Sequence, residues 1–361
     1  MDQSKARKWF LKCIGLLAAS LLLLALIVIV TDPYFHYHKP YPFMSYRLYD
    51  ERYTNDGISR HFDFDALITG TSMAQNFRPS QMDALFGTHS VKETFSGAGY
   101  QELADNLARA LERNPSLRTV LLGLDSNGLL RDYDWKQYDN YPTYLYDDNP
   151  FNDVSYLFNK SIFYHGVLTS LAMTLSGSPA TTMDEYSSWQ RPCGLEAILG
   201  SYDRDALLAD SLPANSQEGS AGFGEKEHSK VVQTITLNVL DIVNQYPDTV
   251  FYIFFPPYSI CYWDAAKIQN TLNQEISAME TAADLLLACP NVRLYSFFGQ
   301  YDVICNLDNY SDIGHYSGEI NSQILEWMAE GTGLLTKENY RMILSRDREF
   351  FLNYDYGSLY N

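Results

Sequence analysis

The chain has 361 residues, of which 46% are hydrophobic and 19% are charged, and its formal net charge is −18 at pH 7. This length fits a short anchor followed by one large α/β domain, and the hydrophobic fraction is enough for a sizeable core. The acidic balance excludes the clustered Lys and Arg surface that neutralises nucleic-acid phosphates, so no nucleic-acid partner is expected.

The first apolar segment predicts a membrane anchor. Residues 13–30 contain no charged side chain and are long enough for one helical crossing of a bilayer. Four basic residues lie in 1–12, which predicts a cytoplasmic tail there and an extracytoplasmic location for the rest of the chain. A cleaved signal peptide is the alternative, but the bulky sequence after Val30 offers no small-x-small cleavage site. A retained, single-pass signal anchor is therefore favoured.

The next residues change character twice. Residues 31–62 are rich in Tyr, His, Pro and Arg, and we expect an irregular stalk there. From 63 to 335 apolar strands alternate with amphipathic helices, which is typical of a parallel sheet covered on both faces. The five predicted strands are FDALITG (64–70), SVKETFSG (90–97), SLRTVLLGLD (116–125), TVFYIFFPP (249–257) and NVRLYSFFG (291–299). We predict a three-layer α/β/α domain with a mainly parallel five-stranded sheet.

Two further segments complete the domain plan. The alternation of strands and helices is interrupted at about 128–224. This predicts an insertion that covers one end of the sheet, as lids and binding loops do. Residues 336–361 predict a helical extension with an aromatic end.

Cysteine and histidine spacing gives no sign of a metal site or a cofactor. Cys193, Cys261, Cys289 and Cys305 follow the anchor, and they could form two disulfides in any of three pairings or remain buried thiols. No spacing in the chain resembles a zinc ligand set. We predict neither a metal nor a cofactor.

Polar residues with catalytic chemistry follow the predicted strands. Ser72 comes directly after the first strand, at a turn into a helix, where a serine is either a helix cap or an exposed nucleophile. Asp312 and His315 form a D-x-x-H pair after the last predicted strand. In such a pair the carboxylate accepts the imidazole Nδ1–H and leaves Nε2 free as a general base. Strand ends of a parallel sheet share one edge, so the three side chains are expected to meet there.

These motifs resemble those of the SGNH hydrolase superfamily, also called GDSL-like. Gly70-Thr71-Ser72-Met73 is similar to the block that carries the family's nucleophile, although Thr71 stands where Asp is typical. Residues 95–100 (FSGAGY) resemble the family's glycine block, and residues 312–315 (DIGH) resemble its D-x-x-H block. The resemblance implies a flavodoxin-like sheet, a Ser72–His315–Asp312 triad and an oxyanion hole that includes the Ser72 and Gly97 amides.

The third block departs from the family pattern. Asp125 stands where the family has Asn, and a carboxylate there would repel an oxyanion unless it were protonated. Asn127 points to the same side of an extended segment, so it is the expected replacement donor in the oxyanion hole. Asp125 and Tyr258, which follows two prolines after the fourth strand, are expected to contact the substrate.

Membrane-anchored relatives with similar blocks resemble proteins of teichoic acid D-alanine transfer and of polysaccharide O-acetylation. The resemblance implies an extracytoplasmic serine esterase or O-acyltransferase that acts on acyl esters, acetyl above all, of a cell-surface polysaccharide. A membrane-bound acyltransferase is a further implied partner. The alternatives are a non-catalytic glycan-binding partner in an envelope assembly complex and a lipid esterase with a deep apolar channel beside Ser72.

Overall fold

The computed structural model describes residues 3–138, 141–210 and 222–360. The chain divides into two compact units, one formed by Met1–Asp63 and Asn140–Thr182 and the other by Phe64–Asp139 and Met183–Asn361. The strands are β1 (Ala66–Gly70), β2 (Ser90–Thr94), β3 (Thr119–Gly123), β4 (Val250–Phe255), β5 (Val292–Ser296) and β6 (Leu334–Leu335). The α-helices of the described residues are α1 (Gln3–Thr31), α2 (Glu51–His61), α3 (Pro79–Phe86), α4 (Tyr100–Arg113), α5 (Val154–Leu157), α6 (Leu168–Ser176), α7 (Leu195–Leu199), α8 (Arg204–Asp210), α9 (Glu225–Ile235), α10 (Asp241–Gln245), α11 (Ile260–Ile268), α12 (Leu272–Leu286), α13 (Tyr301–Ile304), α14 (Gly318–Glu330) and α15 (Tyr340–Asn353).

The first unit is built around the end of α1. This helix is long and apolar enough to cross a membrane or to be a signal sequence, and it lies near the N-terminus. Most of α1 is exposed, but Val28 and Thr31 in its last turn are buried. Val28 belongs to an apolar cluster whose other buried members are Tyr34, Leu145, Tyr156, Ile162 and Val167. The apolar helix is therefore continuous with a packed core at its C-terminal end.

A buried carboxylate shapes the turn that follows α1. Asp32 has a φ of 36° and is fully buried. Its side chain accepts the backbone N–H groups of residues 36–38 at 2.7–3.0 Å and the hydroxyl of Tyr156 at 2.8 Å. Four donors converge on one carboxylate, so this side chain closes the loop after α1 and ties it to residue 156.

Part of the predicted stalk is helical. Within 31–62, which we expected to be irregular, Glu51–His61 forms α2. Seven of its eleven residues are buried, and most of the buried ones are polar. Gly57 lies so close to Tyr34 that an added Cβ would stand 2.0 Å from the Tyr34 carbonyl oxygen. Apolar periodicity could not reveal this helix, because polar side chains and a glycine make its buried face.

The second unit contains a single six-stranded sheet among the described residues, in the order β2-β1-β3-β4-β5-β6. The first five strands are parallel, and β6 pairs antiparallel with β5. The predicted α/β class with a mainly parallel sheet is confirmed. The prediction of five strands missed β6, because a two-residue strand is too short to show a period.

The strand order places helices on both faces of the sheet. The β1–α3–β2 connection runs toward one edge, whereas the later connections run toward the other. Right-handed crossovers therefore put α3 on one face and α4 and α12 on the opposite face. Contacts between α3 and α14, and separately among α9, α12 and α15, fit this division. The order reverses at β1, so β1 and β3 flank the point where ligands bind in folds of this type.

The predicted insertion at about 128–224 is divided between the two compact units. Asn140–Thr182 groups with the N-terminal residues, whereas Met183–Asn361 groups with the sheet. Residues 139, 140 and 211–221 of this segment lie outside the described residues. The predicted C-terminal extension at 336–361 contains α15, which packs against α11 and α12.

We predict that Asp32→Ala lowers the free energy of unfolding by at least about 3 kcal/mol, because each buried donor left without an acceptor costs about 1–3 kcal/mol. Denaturant unfolding of the full chain in detergent measures the change. Asp63→Ala is the matched control, because Asp63 pairs with Lys39 on the surface. Its loss should stay below about 1 kcal/mol. Equal effects of the two substitutions would contradict the role given to Asp32.

Candidate active site

Ser72 lies in a tight turn at the carboxyl end of β1. Gly70 ends the strand with a φ of 148°, and a Cβ there would lie 2.9 Å from the Cβ of Ala74. A 3₁₀ turn then spans Ser72–Ala74, and the Thr71 hydroxyl caps it by accepting the Met73 N–H. The strand, the glycine and the cap together place the half-buried Ser72 side chain at the edge of the sheet.

Asp312 and His315 lie in a loop that is closed on itself. An isolated antiparallel bridge joins Tyr310 and Tyr316 at the two ends of this loop. One carboxylate oxygen of Asp312 accepts the backbone N–H groups of Gly314 at 2.9 Å and His315 at 2.8 Å. The other oxygen lies 2.8 Å from Nδ1 of His315. The Asp312 side chain thus orients both the loop backbone and the imidazole ring.

The structure brings Ser72, His315 and Asp312 together. Oγ of Ser72 lies 2.8 Å from Nε2 of His315, whose Nδ1 faces Asp312. With the ring proton on Nδ1, the Ser72 hydroxyl donates to Nε2. This is the hydrogen-bond order of a serine nucleophile, a general base and an orienting carboxylate.

Electrostatics favour an ionised Asp312. Burial alone would raise its pKa, but hydrogen bonds from the His315 ring and from the backbone of His315 and Gly314 outweigh burial and lower the pKa to about 2. Arg191 adds a cation, with Nη1 3.8 Å from the carboxylate. A carboxylate that stays charged at all ordinary pH values can orient a neighbouring imidazole and stabilise its protonated form.

The Asp125 carboxyl, in the third block, ties neighbouring loops together. One oxygen accepts the Thr71 hydroxyl, and the other accepts the Tyr258 hydroxyl at 3.0 Å. The backbone carbonyl of Asp125 accepts the Tyr100 hydroxyl at 2.6 Å. Burial raises the pKa of Asp125, although the two hydroxyl donors to its side chain act in the opposite direction.

The remaining predicted residues occupy different places. Gly97 has a φ of 66°, and its loop lies beside β1 because the Phe95 N–H donates to the Gly70 carbonyl at 2.9 Å. Asn127 is exposed and shares a small cavity of about 30 Å³ with Asp125. Tyr258 is only 3% exposed and uses its hydroxyl on Asp125, so the structure does not bring it to an open cleft.

An open cleft of about 530 Å³ lies next to the His315 loop. Trp189 lines it and meets the His315 ring edge-on, with the ring centroids 5.6 Å apart. Asn76 and Arg191 also line it, and the Arg191 guanidinium lies 4.9 Å from the centre of the Trp189 ring. Most of the lining residues are polar or charged.

Two buried N–H donors in this cleft have no hydrogen-bond partner among the described residues. They are Nδ2 of Asn76 and Nε1 of Trp189. The Asn76 side chain is otherwise used, because its Oδ1 accepts the Trp189 backbone N–H at 2.8 Å. Sequence reasoning missed both residues. Nothing in their local sequence separates them from ordinary loop residues, and their pairing spans more than a hundred residues of chain.

The structure also shows the state of the cysteines and the arrangement of the side chains that could bind a metal. Within the described residues, Cys13, Cys193, Cys261, Cys289 and Cys305 are all thiols that form no disulfide. In the same part of the chain, no group of three or more His, Cys, Asp or Glu side chains is arranged to hold a metal ion.

Comparisons with known proteins give no family for the chain. No family model matches it, and no curated protein matches it. A solved structure from Streptococcus pneumonia, provisionally described as a platelet activating factor, is similar over 78% of this chain and 89% of that chain. The TM-score is 0.37 and the sequence identity is 12%. A likeness this distant says nothing about chemistry, so the chemistry has to follow from the site itself.

We predict that Asp312 gives the fold a pH-dependent stability. Its pKa falls from an ordinary 3.8 to about 2 on folding, so its contribution is complete above about pH 4 and is lost as the pH falls toward 2. The full shift corresponds to roughly 2 kcal/mol, which partial exposure of the carboxylate reduces. The unfolding free energies of the parent and of Asp312→Asn should therefore converge between about pH 4 and pH 2. A constant difference across that range would show that the carboxylate is not specially stabilised.

Proposed function

We propose that this protein is a serine esterase or O-acyltransferase that works through an acyl-enzyme on Ser72. The observation that carries the proposal is the 2.8 Å contact between Oγ of Ser72 and Nε2 of His315, with Asp312 on the other ring nitrogen. The intact contact also counts against a purely non-catalytic binding role, which would not need an activated serine.

The chemistry follows from the hydrogen-bond order. Oγ of Ser72 attacks the carbonyl carbon of an ester while Nε2 of His315 accepts the hydroxyl proton. The tetrahedral intermediate then collapses, the C–O bond to the leaving alcohol breaks, and His315 returns the proton to that alcohol. Water or a second hydroxyl group attacks the acyl-Ser72 ester by the same steps, which releases the acid or a new ester.

The oxyanion is best stabilised by backbone donors. The Ser72 and Gly97 N–H groups are the proposed pair, since Gly97 lies on the loop that Phe95 fixes beside β1. Asp125 is occupied by the hydroxyls of Thr71 and Tyr258, so its carboxyl serves to position these loops. Asn127, exposed on the neighbouring turn, is the proposed third donor.

The cleft beside His315 supports a hydroxyl-rich substrate. Its lining combines the aromatic face of Trp189 with guanidinium, carboxylate and amide groups, which is the chemistry that binds sugars. A lipid esterase would need a deep apolar channel, and the polar lining counts against one. We therefore propose an acyl ester of a cell-surface glycan as the substrate, with acetyl as the acyl group.

The proposed site of action is outside the cytoplasm. The basic residues before the apolar run of α1 favour a cytoplasmic N-terminus. Burial of Val28 and Thr31 in the first unit supports a helix that is retained rather than cleaved. The Ser72 site would then face the cell-surface polymers.

The triad predicts a specific pattern of activity loss. The full chain in detergent should hydrolyse p-nitrophenyl acetate and release acetate from an acetylated oligosaccharide. Ser72→Ala and His315→Ala should each lower kcat at least about 10³-fold, because each removes a member of one catalytic unit. A fluorophosphonate probe should modify the parent at Ser72, with the adduct located by mass spectrometry.

Two matched controls accompany this test. Ser116→Ala and His89→Ala replace exposed residues of the same types, and both should retain parental activity. Absence of both hydrolysis and labelling in the parent would overturn the esterase proposal and return the protein to the class of non-catalytic glycan-binding partners.

The orientation of the chain can be checked independently. Protease added to intact cells should digest the chain after residue 31 and leave the first twelve residues protected, because the basic flank keeps them in the cytoplasm. Protection of the whole chain would contradict an extracytoplasmic site.

A further inference from the structure

The first unit carries an apolar helix whose exposed side is also apolar. The π-helical segment Ile162–Val167 runs directly into α6, and Ile162, Gly166 and Ser170 face the interior at four-residue spacing. On the opposite side the exposed residues Tyr164, Leu168, Ala172 and Leu175, here called the outer stripe, follow one another at three- or four-residue spacing, with exposed His165 and Ser176 beside them. Leu175 is 88% exposed. A surface helix in water is normally polar on its outer side, so an apolar outer stripe needs another explanation.

The charge pattern around this helix is equally unusual. Residues 161–183 contain no Asp, Glu, Lys or Arg, although the chain has 44 acidic and 26 basic residues. Among the described residues, Ile162–Ser176 is the one helix of 10–17 residues that is this apolar, and α1 is the one longer apolar helix. An exposed helix without charge is poorly suited to water and well suited to a partly apolar medium.

A second exposed apolar group lies next to α5. Phe151 is 90% exposed, Val154 is 56% exposed and Phe158 is 43% exposed. The helix α5 itself contacts α1. Val154 and Phe158 lie one helical turn apart, because the Phe158 N–H donates to the Val154 carbonyl at 3.2 Å. Exposed large apolar side chains that adjoin one another mark an interaction surface, whereas isolated ones are common.

Both groups adjoin the end of α1. Val28, in the last turn of α1, is buried with Ile162 and Val167 of the apolar helix. Gly166 is packed so closely that a Cβ there would lie 2.7 Å from Cγ of Pro33. The charge-free run of α1 ends at residue 30, so the apolar helix begins beside the end of that run.

We propose that the outer stripe and the group at Phe151, Val154 and Phe158 lie in the interfacial layer of the phospholipid bilayer that α1 spans. The proposal rests on α1 being a retained span, but not on the esterase activity. In a retained span the exposed leucines of α1 contact lipid. The outer stripe and the group at Phe151, Val154 and Phe158 are exposed and apolar as well, and they lie next to the end of α1. A helix of this length is too short to cross the bilayer and suits the interface, where Tyr164 would sit among the headgroups.

Lipid contact can be measured with tryptophan reporters in the full chain. Leu175→Trp and Phe151→Trp each add a fluorescent side chain at an exposed position. The emission of the five native tryptophans is measured in the parent chain and subtracted. Each variant is placed in nanodiscs of phosphatidylcholine with or without bromine on the upper acyl chain. The added emission should be blue-shifted and should be mostly lost in brominated lipid.

Met342→Trp is the matched control. Met342 is an exposed apolar residue, 69% accessible, but it lies on α15 next to Arg341. Its added emission should be red-shifted and equal in the two lipids. If the added emission of Leu175→Trp or of Phe151→Trp matches that of the control, water covers the surface and the proposal is overturned.

The unsubstituted chain provides a second measurement that does not depend on any variant. Photoactivatable diazirine phospholipid should label peptides from α1 and from residues 161–183, and should leave peptides from α15 unlabelled. Labelling of α1 without labelling of 161–183 would overturn the proposal. Blue-shifted emission without quenching would also overturn it, because a protein surface, such as a second copy, would then cover the stripe. Ser72→Ala should give the same labelling as the parent, so loss of the esterase proposal leaves this test intact.

Discussion

The geometry of the Ser72 site depends on one backbone carbonyl. The Met73 carbonyl accepts the Tyr316 hydroxyl at 3.1 Å and Nδ2 of Asn321 at 2.9 Å. These two bonds are buried, and they join the turn after β1 to the loop and helix that follow Asp312 in the chain. A Ser–His contact needs two segments more than two hundred residues apart to stay within tenths of an ångström, and the short bonds to Met73 supply that constraint. The Tyr310 hydroxyl adds a third tie from the same loop, to the Pro257 carbonyl at 2.7 Å.

The class of fold and the meeting of Ser72 with the D-x-x-H pair could be predicted from sequence for a physical reason. Strands buried on both faces are continuous apolar runs, and their carboxyl ends share one edge of a parallel sheet. Side chains that directly follow such runs are therefore neighbours, however distant they are in sequence. The spacing within Asp312–His315 is also local, so the contact of Asp312 with Nδ1 of His315 follows from one turn of chain.

Features that depend on polar packing over long distances could not be predicted. The helix α2 hides polar residues on its buried face, and the Asn76–Trp189 pair joins segments with no shared pattern. Tyr258 was expected to contact the substrate because of its place after a strand, and in the structure its hydroxyl donates to Asp125. In each case the partner decides where the side chain points, and sequence patterns identify burial better than they identify partners.

Asp125 shows how a departure from a family motif can be accommodated. The resemblance predicts an Asn amide donor at this position, and this chain has the Asp125 carboxylate there instead. In the structure that carboxylate accepts two hydroxyls, from Thr71 in the turn after β1 and from Tyr258 after β4, and burial raises its pKa. The two hydroxyl donors offset part of the negative charge that the site would feel. The same bonds tie together the segments that follow β1, β3 and β4, so the Asp125 carboxyl holds these three segments in place. In the proposed mechanism it therefore positions the site, and the oxyanion donors are the ones proposed above.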